Sequence, residues 1–280
     1  MNSNNSLLQL KGISKVFSRG SIDEVTALND LELEVNAGDF ITVIGSNGAG
    51  KTTLLNIIAG VYPPERGGSI VIKDRDVTNL SEYRRAHYVG RVYQDPQIGT
   101  AANMTIEENL SLALMRGQSR GLSIATNKKH REQFRQALAP LGLGLQNRLT
   151  APVGVLSGGQ RQALALVMAT LSKPSILMLD EHISTLDPNT ARSVLELTNM
   201  IIERENMTAM MVTHNMDIAL RCGTRLIMMH KGRIIVDLDH EKKKNLTFND
   251  LITAFEQASG ERFVDDNILL GRTEFGDPTD

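Results

Sequence analysis

The sequence predicts an α/β domain: a mostly parallel sheet with helices on both faces, interrupted by an inserted helical segment. Three observations support that fold class. Short apolar stretches at residues 40–44, 176–179, 208–212 and 225–229 have the length of buried strands, and helix-length segments separate them. A glycine-rich loop at residues 45–52 sits between the first of these strands and a helix at about residues 52–59. From about residue 98 to 171 the alternation gives way to a helical pattern with loops at 116–123 and 142–152, which marks the inserted subdomain.

The remaining elements follow in order. Leu31, Leu33 and Val35 alternate with Glu32 and Glu34, the period of a half-buried strand. Asn36-Ala37-Gly38-Asp39 turns the chain into the strand at 40–44. Tyr62-Pro63-Pro64 and Gly67-Gly68 break it again before a strand at 70–72. Val194, Leu197 and Ile201 share one face of a helix at 189–203. Lys231-Gly232 is a hairpin turn into a strand at 233–236. Lys242-Lys243-Lys244 reads as solvated surface, with contact to anionic lipid as the alternative, and residues 248–256 can form a short helix before an acidic tail.

Composition removes several classes of function. The formal net charge of −2 gives no electrostatic basis for bulk nucleic-acid binding, so no nucleic-acid partner is expected. One cysteine, Cys222, rules out an intramolecular disulfide framework and fits a reducing cytosol. No segment reaches the roughly 18–20 apolar residues needed to span a bilayer, and no signal peptide opens the chain. Work at a membrane would therefore require another chain to supply the channel.

Two motifs carry chemistry. Gly45-Ser46-Asn47-Gly48-Ala49-Gly50-Lys51-Thr52 matches G-x-x-x-x-G-K-[ST] between a strand and a helix. Its glycines allow the backbone to wrap a phosphate, with N–H groups and the helix N-terminus facing the anion. Lys51 is expected to reach the β- and γ-phosphates, and the Thr52 hydroxyl to ligate Mg²⁺, with Thr53 beside it. The run Ile176 to Leu179 ends in Asp180-Glu181, which delivers two carboxylates to the end of a buried strand. Asp180 is expected to hold Mg²⁺ through water, and Glu181 to act as general base toward the attacking water. Together these motifs define a P-loop nucleotidase and leave open what its hydrolysis drives.

Leu156-Ser157-Gly158-Gly159-Gln160-Arg161-Gln162 resembles the signature motif of ABC ATPases. Ser157 can cap the helix that follows, and Gly158 and Gly159 expose N–H groups at its positive end, a second anion site. The resemblance covers about residues 7–237. It implies a P-loop NTPase core of RecA-like type with an antiparallel β subdomain and an inserted helical subdomain at about 98–171, within an ATPase domain at 1–240. Residues 241–280 are then a C-terminal extension.

The same resemblance assigns further residues. Phe17 stacks on adenine, Gln94 touches Mg²⁺ and the attacking water, and His214 contacts the γ-phosphate. Asp187, in Ser184-Thr185-Leu186-Asp187, belongs to a loop crossing a dimer interface. Two copies, or this chain and a paralogue, pair head-to-tail so that Ser157, Gly158, Gly159 and Gln160 of one close on ATP held by the other. The family usually has Pro after the catalytic Glu, where this chain has His182. That histidine either tunes Glu181 or fills the proline's space.

The resemblance implies the ATPase of a membrane transporter, attached to the inner face of the membrane through permease subunits. Residues 150–155 lack the acidic segment that exporter ATPases carry, which points to import and, indirectly, to an extracytoplasmic solute-binding protein. Residues 99–110 and 180–188 resemble ATPases of uptake systems proposed for tryptophan or tyrosine. A split exporter is one alternative. The other is a soluble non-transport ABC ATPase, although coiled-coil arms and a second ATPase domain are not visible.

Overall fold

The computed structural model describes residues 6–116 and 127–261. The elements begin with β1 (Ser6–Phe17), β2 (Val25–Asn36), β3 (Phe40–Ile44), α1 (Lys51–Ala59), β4 (Ser69–Ile72), β5 (Arg75–Asp76) and α2 (Glu82–Arg85). They continue with β6 (Val89–Val92), α3 (Pro96–Gly99), α4 (Ile106–Leu114), α5 (Lys128–Leu138), α6 (Gly158–Thr170), β7 (Ile176–Asp180) and α7 (Pro188–Arg204). The last are β8 (Thr208–Val212), α8 (Met216–Arg221), β9 (Arg225–His230), β10 (Arg233–Leu238), α9 (His240–Lys243) and α10 (Phe248–Ser259). They fall into two compact units: the chain up to Glu82 with the chain from Asn206 onward, and Tyr83–Glu205. Among the described residues no helix is long and apolar enough to cross a membrane.

In the first unit, β2-β1-β4-β5 form an antiparallel sheet. A second set of strands runs β10-β9-β3-β8, with β3 parallel to both β8 and β9 and β10 antiparallel to β9. All five residues of β3 are buried. A strand paired on both edges and covered on both faces has no side for polar residues, hence the unbroken sequence Phe-Ile-Thr-Val-Ile. Its one polar side chain, Thr42, donates its hydroxyl to the carbonyl of Ala219 at 3.1 Å.

The C-terminal helices complete this unit's core. Leu251 and Phe255 of α10 pack with Ile44, Met216, Ala219, Leu226 and Met228. Burying each such side chain stabilises the fold by about 1.5–3 kcal/mol. The three-lysine run does not behave uniformly. Lys242 and Lys244 are exposed, but Lys243 is buried, and its ammonium donates to the carbonyls of Cys222 and Gly223 at the end of α8. Those carbonyls are the unsatisfied end of a helix, where a cation is favoured. Burial lowers the Lys243 pKa to about 8.

In the second unit, β6 pairs in parallel with β7 beside α3–α7. Strand β6, Val-Gly-Arg-Val, is not anticipated from periodicity, because Gly90 and Arg91 interrupt its apolar run. The glycine is required: a Cβ there would lie 2.5 Å from the carbonyl oxygen of Ala169, in α6. Arg131 of α5 grips Glu107 of α4 with two hydrogen bonds, at 2.7 and 2.9 Å.

His182 lies at the start of the turn after β7 and is only 1% exposed. Its Nε2 is 3.1 Å from Thr198 Oγ1, and that hydroxyl already donates to the Val194 carbonyl at 2.8 Å. The hydroxyl proton is committed, so Nε2–H of the histidine must be the donor. Burial lowers the His182 pKa to about 4, so the ring is neutral at pH 7. A neutral ring tied to α7 fills space and anchors the turn; it places no charge beside Glu181.

This has a signed consequence for acid stability. With a folded pKa of about 4 against 6.5 for the free side chain, the unfolded chain binds the extra proton first. The contribution is fully present above pH 6.5 and is lost as pH falls toward 4, at about 1.4 kcal/mol per unit. Between pH 7 and 5 the wild type is expected to lose roughly 2 kcal/mol more than His182→Pro in urea denaturation. Parallel pH dependences for the two proteins would contradict the buried neutral ring.

Candidate nucleotide site

The first unit holds the phosphate loop. Gly45, Gly48 and Gly50 all have positive φ, at 153°, 77° and 99°. At Gly45 a Cβ would stand 2.2 Å from the carbonyl oxygen of Met229, and at Gly50 one would stand 2.4 Å from that of Ala27. Ser46 accepts a backbone hydrogen bond from Ala49, while Asn47 and Gly48 are exposed. The Lys51 ammonium, 7% exposed, donates to the carbonyls of Gly45 at 2.6 Å and Ser46 at 3.1 Å, which holds it inside the loop's curve. Thr52 is exposed and Thr53 half-buried.

The chemistry of this loop fits an anion. Helix α1 begins at Gly50 without a side-chain cap and with no acidic residue in its first turn. The cap residue and the first turn therefore offer these N–H groups no side-chain carboxylate. The positive helix end, the loop amides and Lys51 converge on one concavity, which suits a polyphosphate.

Two further residues of this unit were expected at the site. Phe17 ends β1 and packs edge-on against Tyr62, with ring centroids 5.3 Å apart. The Lys15 ammonium lies 5.6 Å from the Phe17 centroid and 5.8 Å from that of Tyr62. Tyr62 reads in the sequence only as part of a chain break, and its place beside Phe17 depends on how β1 lies against the end of α1. His214 follows β8 and is half-buried. The residues around it are fixed: Thr213 N–H donates to the Val43 carbonyl at 3.1 Å, and Asn215 caps α8.

The second unit holds the carboxylates. Asp180, at the end of β7, is buried and paired with Arg91 of β6 at 3.0 Å. The Arg91 guanidinium also lies over the Tyr93 ring, 4.5 Å from its centroid. Sequence spacing gives no signal for Arg91, because its partner is 89 positions away on a neighbouring strand. Glu181 follows with φ +45°, a left-handed conformation that is uncommon for a side chain of this kind. Its carbonyl accepts from both the N–H of Ser184, at 3.0 Å, and the Ser184 hydroxyl, at 2.8 Å. The same hydroxyl accepts from Gln94 Nε2 at 3.1 Å. Gln94, Ser184 and Glu181 thus form one hydrogen-bonded chain, in which Ser184 links the other two.

The signature loop is in this unit too. Ser157 and Gln160 form a reciprocal capping box at the start of α6, at 3.3 and 3.2 Å. Gly158 is exposed. Gly159 is buried, and a Cβ there would stand 2.2 Å from Thr190 Cγ2. The second glycine is therefore needed for α6 to approach α7, besides anything it does for an anion. Asp187 caps α7, and hydrogen bonds from the Thr190 side chain and backbone hold its carboxyl below the usual range.

Among the described residues no three His, Cys, Asp or Glu side chains cluster into a self-sufficient metal cage. The Asp180 carboxylate at the end of β7 is an oxygen donor of the kind that Mg²⁺ takes alongside substrate phosphates.

Comparison with known proteins identifies the family. Residues 28–184 match the family model described as ABC transporter. The chain is 43% identical over 252 residues to a tyrosine transport ATP-binding protein of Clostridioides difficile (strain R20291), covering 90% of this chain and 100% of that protein. It is 34% identical over 232 residues to methionine import ATP-binding protein MetN 1 of Yersinia pestis bv. Antiqua (strain Antiqua), covering 82% of this chain and 64% of that longer protein. Among solved structures, a dimeric ATP-binding cassette in a post-hydrolysis state bound to ADP and Pi superposes with a TM-score of 0.70. That match has 26% identity and covers 84% of this chain and 99% of the other. A nucleotide-free ATP-binding cassette from an ABC transporter matches equally well, with a TM-score of 0.70 at 26% identity over 86% and 94% of the two chains. The chain has the α/β P-loop NTPase fold and belongs to the ABC transporter family of ATPases.

Proposed function

We propose that this chain is the ATP-hydrolysing subunit of an uptake system for a small solute, an amino acid of the tyrosine or methionine kind. Two observations support this reading: the 43% identity along the whole length of a tyrosine transport ATP-binding protein, and, for direction, the 34% identity to a methionine import ATP-binding protein. Neither alternative, a split exporter or a soluble ABC ATPase, has a comparable observation in its favour. The chain acts at the inner face of the membrane, bound to permease subunits that receive solute from an extracytoplasmic binding protein.

Each group has a role in hydrolysis. Phe17 stacks on the base. The amides of residues 45–53 and Lys51 neutralise the β- and γ-phosphates. Thr52, Gln94 and Asp180 would hold Mg²⁺, which when bound adds positive charge at the phosphate oxygens. Arg91 holds the Asp180 carboxylate in place through their 3.0 Å ion pair meanwhile. Glu181 takes the proton of the attacking water as its oxygen bonds to the γ-phosphorus and the bond to ADP oxygen breaks. His214 and Gln94 hold the water and the γ-phosphate in line.

Two copies close on ATP. Ser157, Gly158, Gly159 and Gln160 of each grip the nucleotide held by the other, and Asp187 lies at the contact. ATP then favours the closed pair by binding it more tightly than the open one, and hydrolysis removes that preference.

Glu181→Gln is expected to bind ATP but lose at least about 100-fold in phosphate release, and to elute as an ATP-dependent dimer in size-exclusion chromatography. Full turnover in this variant would remove Glu181 as the base. In the reconstituted complex, tyrosine-loaded binding protein is expected to stimulate ATP turnover. If no amino acid stimulates it, the solute class is wrong even where ATPase activity stands.

A further inference from the structure

The C-terminal helix α10 has no part in the chemistry above, yet Glu261, just after it, reaches the phosphate loop's support. Residues Met229–Gly232, the turn between β9 and β10, bed against that loop at two points. The Gly232 N–H donates to the Ala49 carbonyl at 3.1 Å, and the Met229 carbonyl fills the space that a Cβ of Gly45 would need. The turn is tight: Lys231 and Gly232 both have positive φ, at 44° and 75°. The Gly232 carbonyl accepts from Asn29 N–H at 3.0 Å, and a Cβ at Gly232 would stand 2.8 Å from the Ala27 oxygen. The turn therefore cannot move without moving the loop.

Glu261, just beyond the end of α10, holds this turn from outside. One carboxylate oxygen accepts from the Lys231 ammonium; the other lies 3.3 Å from His230 Nε2 without forming a hydrogen bond to it. The Lys231 hydrogen bond and charge hold the Glu261 carboxyl below its usual range. The Phe255 ring meets the His230 imidazole edge-on at 5.2 Å. Phe255 and Leu251 also pack with Ile44, the residue that immediately precedes Gly45. The helix thus touches the loop's entry strand, and Glu261 touches the turn that backs it.

From this chain of contacts we infer that Glu261 is a positioning residue for the phosphate loop, acting through Lys231 on Gly232 and Ala49. The inference rests on the loop being the nucleotide site. Its sign separates it from simple electrostatics. Removing a negative charge near a polyphosphate site should strengthen nucleotide binding if charge alone acts. Loosening the turn should weaken it.

The test uses the full chain, with ADP and Mg²⁺ in isothermal titration and ATP in steady-state kinetics. Glu261→Gln is expected to raise the ADP Kd and the ATP KM by about two- to fivefold at low salt, the range of an exposed ion pair. Its kcat should stay near wild type, and so should the melting temperature of the nucleotide-free protein. Glu261→Asp, which keeps the charge, should lie closer to wild type than Gln does. An ADP Kd in Glu261→Gln that is unchanged or lower overturns the inference. Lys51→Ala serves as the separate control. If it abolishes ADP binding while Glu261→Gln changes nothing, the nucleotide site stands and the positioning role falls. If Lys51→Ala binds ADP as wild type does, both fall.

Discussion

At Gly45 the chain leaves β3 with φ +153°, and the carbonyl oxygen of Met229 occupies the place a side chain would take. This close approach of two backbones sets the geometry of the first unit. It brings β9 against the loop, and similar approaches at Gly50 and Gly232 bring both against the backbone of Ala27. The loop's amides can face an anion because their own backbone is held from behind. Lys51 is held by the same curve, through the carbonyls of Gly45 and Ser46. A loop of this composition without that support would be a flexible glycine-rich turn, and ordering it on binding would reduce affinity.

In the second unit the corresponding constraint is the turn after β7. Glu181 holds a left-handed backbone because its carbonyl has two donors in Ser184, and because the next residue, His182, is anchored to α7 through Thr198. Asp187 caps that same helix, and Gly159 lets α6 approach it at Thr190. Residues that resemble a catalytic or interface motif thus also have local structural tasks. Losing one of them changes packing as well as chemistry, so activity alone is an ambiguous readout for Gly159 or Asp187. Asp180 shows a related economy: Arg91 compensates its buried charge and leaves one edge of the carboxylate for other partners.

Local features were legible in the sequence because their cause is local. The phosphate loop needs glycines at fixed spacing, β3 and β8 need fully buried, mostly apolar stretches, and Lys231-Gly232 needs positive φ. The features that were not legible depend on contacts between distant segments. Arg91 is meaningful only once β6 pairs with β7, and β6 itself was hidden by the Gly90 that its packing on α6 requires. Tyr62 gains a role from Phe17, 45 positions earlier by sequence number. Lys243 looked like one of three surface charges, and only the fold delivers it to the carbonyls that end α8. The neutral state of His182 likewise follows from burial, which no neighbour in the sequence announces.

The nucleotide site depends on the backbone approach at Gly45, and Gly45→Ala tests that dependence. The added methyl meets the Met229 carbonyl and must adopt positive φ, a strain of about 1–3 kcal/mol before any clash is counted. Equilibrium titration of this variant with ADP and Mg²⁺ should show affinity reduced at least about tenfold. Circular dichroism should retain the wild-type helix and strand content. ADP affinity within twofold of wild type would contradict the account.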